Sequence, residues 1–150
     1  YDAERWRPGM RAMMATADVF VPSADFLAAP ELGLVGAGWS DRLRALRSLV
    51  AGQLVVTRGR KGAYFFEGER LLQVSAPTVA VADTIGAGDV FHGALALALA
   101  RETPQAEAVK LAVAAASLSC REYGGREGLA DMAEARILAG QLVCTPAADG

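Results

Sequence analysis

The chain has 150 residues, 53% of them hydrophobic and 21% charged, which describes one globular domain with a sizeable core and excludes a disordered chain. A net charge of −2 lacks the clustered basic excess that a nucleic-acid or anionic-membrane surface needs, so the expected partner is a small molecule. The two cysteines, Cys120 and Cys144, are too few and too far apart for a disulfide framework or a zinc site, which makes a reducing cytoplasm the default.

The longest largely apolar stretch, 90–100, contains His92 and reaches about half of the ~20 residues a membrane span needs. The sequence opens at Tyr1 in the helix-like phrase "YDAERW", with no basic leader, and reads as a piece of a longer protein.

In chain order, "MRAMMATA" (10–17) has helical composition, and "DVFVP" (18–22) is a short buried strand closed by Pro22. "SADFLAAPELG" predicts a Ser23-capped short helix stopped by Pro30. Ser40 is placed to cap "DRLRALRSLVAG", in which Leu43, Leu46 and Val50 share one face and Gly52 ends the helix. "QLVVTRG" (53–59) reads as a strand, and "AYFFEGERLLQV" as a hairpin turning at Glu67-Gly68-Glu69.

After Pro77, "TVAVADTIGAG" reads as a strand running into a glycine loop, followed by a helix over 88–100. Thr103-Pro104 opens a second helix through "AEAVKLAVAAASLSC", and "REYGGREG" is a turn-rich loop. Asp131 and Glu134 have capping-box spacing before a last short helix, and the tail "CTPAADG" is expected to fray. This alternation with one hairpin predicts an α/β layered sheet with helices on both faces. Ligands of such sheets sit where strands end and loops enter helices, which is where "DTIGAGD" lies.

Gly86 and Gly88 can take backbone conformations closed to other residues. The N–H groups of Gly86, Ala87, Gly88 and Asp89, unpaired at a helix start, would form an anion cradle. A carboxylate there can accept a hydroxyl proton while the N–H groups hold a phosphoryl group in transfer, which is phosphotransferase chemistry. On spacing alone a second reading stands beside it: Asp89 only caps a helix and the glycines only close a turn. The P-loop pattern and the G-x-G-x-x-G order are absent, as are serine-hydrolase and zinc-hydrolase motifs.

"ADTIGAGDVFHGA" resembles the second signature of the PfkB, or ribokinase-like, carbohydrate kinases, D-T-x-G-A-G-D-x-F, at every defined position. "VVTRGRKGAYFF" is similar to the family's nucleotide-binding strand and turn, "AVKLAVAAASLSC" to the helix beside the adenine, and "YGGREG" to the closing loop. "VFVPSADFL" with "AAASLSC…GG" is most similar to the ketohexokinase-like branch.

The resemblance implies a ribokinase-like sheet whose C-terminal nucleotide-binding and catalytic half is residues 1–150, the N-terminal sugar-binding part and lid being absent. It implies ATP and Mg2+ as cofactors, a sugar substrate with a ketohexose as one candidate, and a homodimer formed through the lid. Asp89 would be the catalytic base and Gly86, Ala87 and Gly88 the anion hole. Thr57, Gly59 and Gly62 would line the nucleotide, with Val113 and Ala116 on its adenine side, and Asp83 would help hold a monovalent cation such as K+. A piece without transferase activity is the alternative, because the sugar platform is missing.

Two departures stand out. Many family members carry N-x-x-E after the strand matching "DVFVP", where Ser23 and Phe26 stand here, and Asp25 is not assigned the missing role. The first family signature is also absent. Among other residues, His92 lies one turn beyond Asp89 and is read mainly as a packing residue, Arg58 could meet phosphate, and Arg60 and Lys61 form a solvated rim. Trp6 and Trp39 are expected to be packing anchors and Cys120 an inert small hydrophobe.

Overall fold

Apolar β-formers at 53–57, 63–67 and 70–74 dictate strands, and in the computed structural model, which describes residues 6–34, 37–124, 128–129 and 131–147, they form the middle of a sheet. The strands are β1 (Val19–Phe20), β2 (Gln53–Thr57), β3 (Ala63–Glu67), β4 (Arg70–Val74) and β5 (Cys144–Pro146), ordered β1-β2-β3-β4-β5. The α-helices are α1 (Met10–Met14), α2 (Trp39–Arg47), α3 (Ala87–Ala100), α4 (Gln105–Ser119) and α5 (Met132–Gln141). The α/β class read from the sequence is what the chain adopts.

The chain divides into two compact units, one of Tyr1–Arg58, Tyr64–Gln73 and Thr145–Gly150, the other of Gly59–Ala63 and Val74–Cys144. In the first, the strand unit, β1 and β2 run parallel, with Val19 beside Gln53 and Phe20 beside Leu54, and α2 lies in the crossover between them. Its core gathers Met10, Met14, Phe20, Phe26, Leu27, Leu43, Leu46, Leu54 and Val56, all nearly inaccessible to water. Each such side chain contributes about 1.5–3 kcal/mol through burial. Trp6 stacks on Phe26 at 6.1 Å, and Trp39 meets Tyr64 edge-on at 5.2 Å, so both tryptophans do pack as anchors.

In the second, the helical unit, α3 packs on α4 and α4 on α5. The helix α4 is buried on most of its circumference through Ala108, Val109, Ala112, Val113, Ala114, Ala115 and Leu118. An alanine-rich helix of this kind presents a smooth surface that lets its neighbours approach closely. The short connection from Arg101 to Pro104 then reverses the chain between α3 and α4.

Several local expectations change. Ser23 makes no capping bond; 3-10 turns run over Ala24–Ala28 and Pro30–Leu32, so Pro30 begins a turn instead of ending a helix. Helix α2 starts one residue before Ser40, with Gly38 at its cap and no side-chain bond, and it ends at Arg47, well before Gly52. β2 stops at Thr57, and Gly59–Lys61 forms a 3-10 turn.

No strand forms over 78–83, where no neighbouring strand offers a ladder; the N–H groups of Ala82 and Asp83 both donate instead to the Cys120 carbonyl, at 2.8 and 3.3 Å. Nor does the tail fray at 144–146: it joins the sheet as β5, and the Ala147 N–H donates to the Leu71 carbonyl at 3.0 Å. Asp131 caps α5 by accepting from the Ala133 N–H, while Glu134 leaves the capping box to pair with Arg121 at 2.8 Å.

Gly62 shows how tightly one turn is specified. Its φ is +83°, and a Cβ there would overlap the Val74 carbonyl oxygen and crowd the backbone of Ser75 and Ala76. Gly59, at φ +49°, faces open space. Gly59→Ala is therefore expected to cost only the ~1–2 kcal/mol of a left-handed conformation. Gly62→Ala should cost distinctly more, because backbone must also move. Urea unfolding of both variants measures the difference; equal losses would show that the overlap at Gly62 is relieved cheaply.

Candidate active site

The site is built by the turn that feeds α3. Asp83 accepts the N–H groups of Thr84 (2.7 Å) and Ile85 (3.1 Å) on Oδ1 and that of Gly124 (3.2 Å) on Oδ2. These bonds, led by the one from Ile85, hold its carboxyl below its ordinary value of 3.8. The Ala87 N–H then closes on the Thr84 carbonyl at 3.2 Å, and Gly86 takes φ +77°, the left-handed step that aims the chain into the helix. No such step is needed at Gly88, whose φ is ordinary and where a Cβ would meet nothing within 4 Å.

Ala87 is thus not part of an unpaired cradle. The N–H groups of Gly86, Gly88 and Asp89, by contrast, find no acceptor among the described residues, the next bond being Val90 N–H to the Gly86 carbonyl at 2.9 Å. Those of Gly88 and Asp89, the two within the helix, lie at its positive end with open space above Gly88, and they suit an anionic oxygen. Asp89 stands exposed in the same first turn.

Beside it opens a cleft of about 590 Å³ lined by Ile85, Gly86, Asp89, Gly93, Leu97 and Met132 among others, a volume in the range of small-molecule sites. Asp89 is its one charged lining residue among the described residues. Asp89, Gly93 and Leu97 recur every four residues on one face of α3, so this wall was legible in the sequence although its apolar members were not singled out.

The cleft takes Gly86 and Asp89 from the expected set and, from α4, Ala115. Val113 and Ala116 do not line it. Val113 is buried, its carbonyl accepting from Ser117 Oγ at 2.7 Å, and the half-buried Ala116 accepts from Ser119 Oγ and Cys120 Sγ. Gly59 is exposed in its turn, whereas the glycine at 62 is accounted for by its approach to 74–76.

Thr57 ends β2 in the strand unit, where its N–H donates to the Pro22 carbonyl at 3.1 Å and its backbone bridges Ser23. His92 turns Nδ1 onto the Gly88 carbonyl at 2.7 Å and sets its ring edge-on to Phe91. Burial pushes the Cys120 thiol up, in keeping with an inert role. Of the closing loop expected over 123–128, residues 125–127 lie outside the described residues.

No group of three or more His, Cys, Asp or Glu side chains among the described residues could hold a metal ion. No helix among them is long and apolar enough to cross a membrane.

The model of the pfkB family carbohydrate kinases matches residues 1–132, and the chain belongs to that family. A ribokinase of Lactococcus lactis is 36% identical over 86 residues, 57% of this chain and 29% of that protein. Among solved structures, Arabidopsis thaliana ribokinase complexed with ribose and ATP superposes with a TM-score of 0.75 at 28% identity, over 86% of this chain and 43% of that one. Phosphofructokinase-2 of Escherichia coli in complex with potassium gives 0.73 at 27% identity, over 88% and 44%. The chain therefore spans less than half the length of these relatives.

The Asp83 bonds give a pH dependence. With a folded pKa below the unfolded one, their stabilisation is complete above the unfolded value and is lost as pH falls through the folded one. The stability difference between the chain and Asp83→Asn is expected to be largest near neutrality and to shrink as the pH is taken below 3.8. Urea unfolding at a series of pH values checks this; a difference that does not vary with pH would remove the carboxylate's charge from the account.

Proposed function

We propose that the chain carries the nucleotide-binding and catalytic part of an ATP-dependent kinase that phosphorylates a sugar hydroxyl. The observation that carries the reading is the pair of N–H groups of Gly88 and Asp89, without an acceptor among the described residues, set beside a carboxylate that lines a cleft, in a chain of the pfkB family. ATP, when bound, supplies the phosphoryl group. The N–H groups of Gly88 and Asp89 hold its oxygens as charge develops, and Asp89 accepts the proton of the attacking hydroxyl. The open space above Gly88 leaves the backbone accessible to those oxygens.

The residues fit the implied cations in different degrees. Without a cluster of protein ligands among the described residues, Mg2+ would arrive on the nucleotide phosphates, the usual way this ion is held. Asp83 could give K+ one carboxylate oxygen, since Oδ2 accepts a single N–H while Oδ1 accepts two. Thr57 and Gly59 are assigned to the nucleotide and Ala116 to its adenine side, while Val113 is buried. Ribose and fructose phosphates are the chemistry of the relatives' names, and a ketohexose stays within the substrate panel.

A second reading has one observation in its favour. The chain covers less than half of its solved relatives, so a nucleotide-binding piece without transferase activity is the alternative. In that case the acceptor sugar would lack a platform. Productive transfer needs the hydroxyl held about 3 Å from its partners, and effective molarity collapses without such positioning.

The tests separate these roles. In a polypeptide of the relatives' full length containing this chain, Asp89→Asn is expected to lower kcat by about 10²–10⁴ while leaving ATP affinity within a few-fold. A coupled ADP-release assay over fructose, ribose and related sugars measures it, and near-normal turnover by the variant would defeat the base assignment.

Gly88→Val should fold, since nothing crowds its Cβ, yet weaken ATP binding by placing a branched side chain over the donors. Calorimetry showing unchanged ATP affinity in the folded variant would favour a plain helix cap. The chain by itself is expected to bind ATP weakly and to phosphorylate no sugar; robust sugar-dependent turnover would put the acceptor site within these residues.

A further inference from the structure

His92 reaches back one turn of α3, its Nδ1 lying 2.7 Å from the Gly88 carbonyl oxygen. A carbonyl oxygen can only accept, so Nδ1 carries the proton and donates. The ring also stands edge-on to the buried Phe91, at 6.2 Å between centroids. Packing accounts for that second contact. It does not account for the first.

The carbonyl of Gly88 and the N–H of Asp89 are the two ends of one planar peptide unit. A hydrogen bond to the oxygen draws electron density along the unit, which makes its N–H a stronger donor, and it fixes the plane in which that N–H points. The N–H in question lies in the first turn of α3 and finds no acceptor among the described residues. Other side chains bond the carbonyl four positions back without this consequence. Thr16 does so on Ala12 at 2.9 Å, but the Met13 N–H of that peptide is already given to the Gly9 carbonyl. Ser117 on Val113 and Cys120 on Ala116 act on peptides inside α4, whose N–H groups the helix itself takes up.

We infer that His92 is a positioning residue: through the Gly88 carbonyl it orients and polarises the peptide whose N–H, that of Asp89, meets an anionic oxygen. The inference rests on the proposed transfer reaction for the use made of that N–H, and goes beyond it in giving the imidazole a part. His92 needs no contact with nucleotide or sugar to play it. Because the donor it strengthens faces developing charge, the effect belongs to the transition state more than to the bound nucleotide.

Three substitutions separate the bond from the packing. His92→Ala removes both, His92→Phe keeps an aromatic ring beside Phe91 without the donor, and His92→Ser keeps a donor of the kind Ser117 uses in α4 without the ring. In the chain itself, NMR follows the Gly88 carbonyl carbon and the Asp89 amide proton. The Asp89 proton is expected to move upfield in His92→Ala and in His92→Phe, and to return most of the way in His92→Ser. Should His92→Ala fail to fold, His92→Phe carries the comparison.

In a polypeptide of the relatives' full length, both variants without a donor are expected to lower kcat by about three- to tenfold and to hold the KM for ATP within about twofold. Removing such a donor outright costs about 10²–10³, and here one is only weakened. His92→Ser should recover most of the loss. A residue that only packs would leave His92→Phe with the parent's kcat, and would show a lowered Tm and no recovery in His92→Ser. That pattern, or an Asp89 proton unmoved in His92→Phe, would overturn the assignment. If no such polypeptide phosphorylates a sugar, the kinase reading fails, and the Asp89 resonance alone decides for or against the orienting bond.

Discussion

The carboxylate of Asp83 accepts three backbone N–H groups, two from the residues that follow it and one from Gly124, some forty positions along the chain. Those bonds do the work that a strand ladder does elsewhere. They fix a segment that has no strand partner among the described residues and lead into the turn at Gly86, while the N–H groups of Ala82 and Asp83 separately tie the segment to the end of α4 through the Cys120 carbonyl. The start of α3, with the exposed Asp89 and the N–H groups of Gly88 and Asp89 that find no acceptor among the described residues, follows from that turn. A charged acceptor suits the task because hydrogen bonds to an ionised group are stronger than neutral ones.

The helical unit answers a second demand, that α3 be held firmly while its first turn stays open. Phe91, Ala94, Leu95 and Ala98 are buried, and Ala87, Gly88, Asp89 and Gly93 stay partly or fully accessible. The small residues of α4 allow close helix contact without large side chains reaching the first turn. Rigidity and access thus come from different faces of one helix.

Where local chemistry decides, the sequence was informative. The hairpin at Gly68-Glu69, the start of α3 beside its glycines, the proline before α4 and the cap at Asp131 all stand as read, because turn and cap residues act within a few positions. The failures are non-local. Residues 78–83 have a strand's composition, yet a strand exists only with a neighbour, and 144–146 have a tail's composition yet find one in β4. Ser23 and Ser40 have the right chemistry for caps, but the backbone enters its turns at other residues. The stacking of Arg58 on Trp39 joins residues from separate elements, and nothing in their spacing announces it. At the site, the motif marked Gly86 and Asp89, and the four-residue spacing to Gly93 and Leu97 carried the rest of that wall.

The edge strand β5 has a bearing on how the molecule assembles. It lies next to β4, but the whole of α3, α4 and α5 intervenes between them in the chain. During synthesis the far side of β4 must wait unpaired while those helices are made, and closing so long a loop carries an entropic cost before any ladder bond repays it. Helices with local contacts form quickly, so the sheet edge is the slow partner. An open strand edge is also a template for pairing with other chains, which makes the interval before β5 docks the stage at which the nascent protein is most exposed to aggregation.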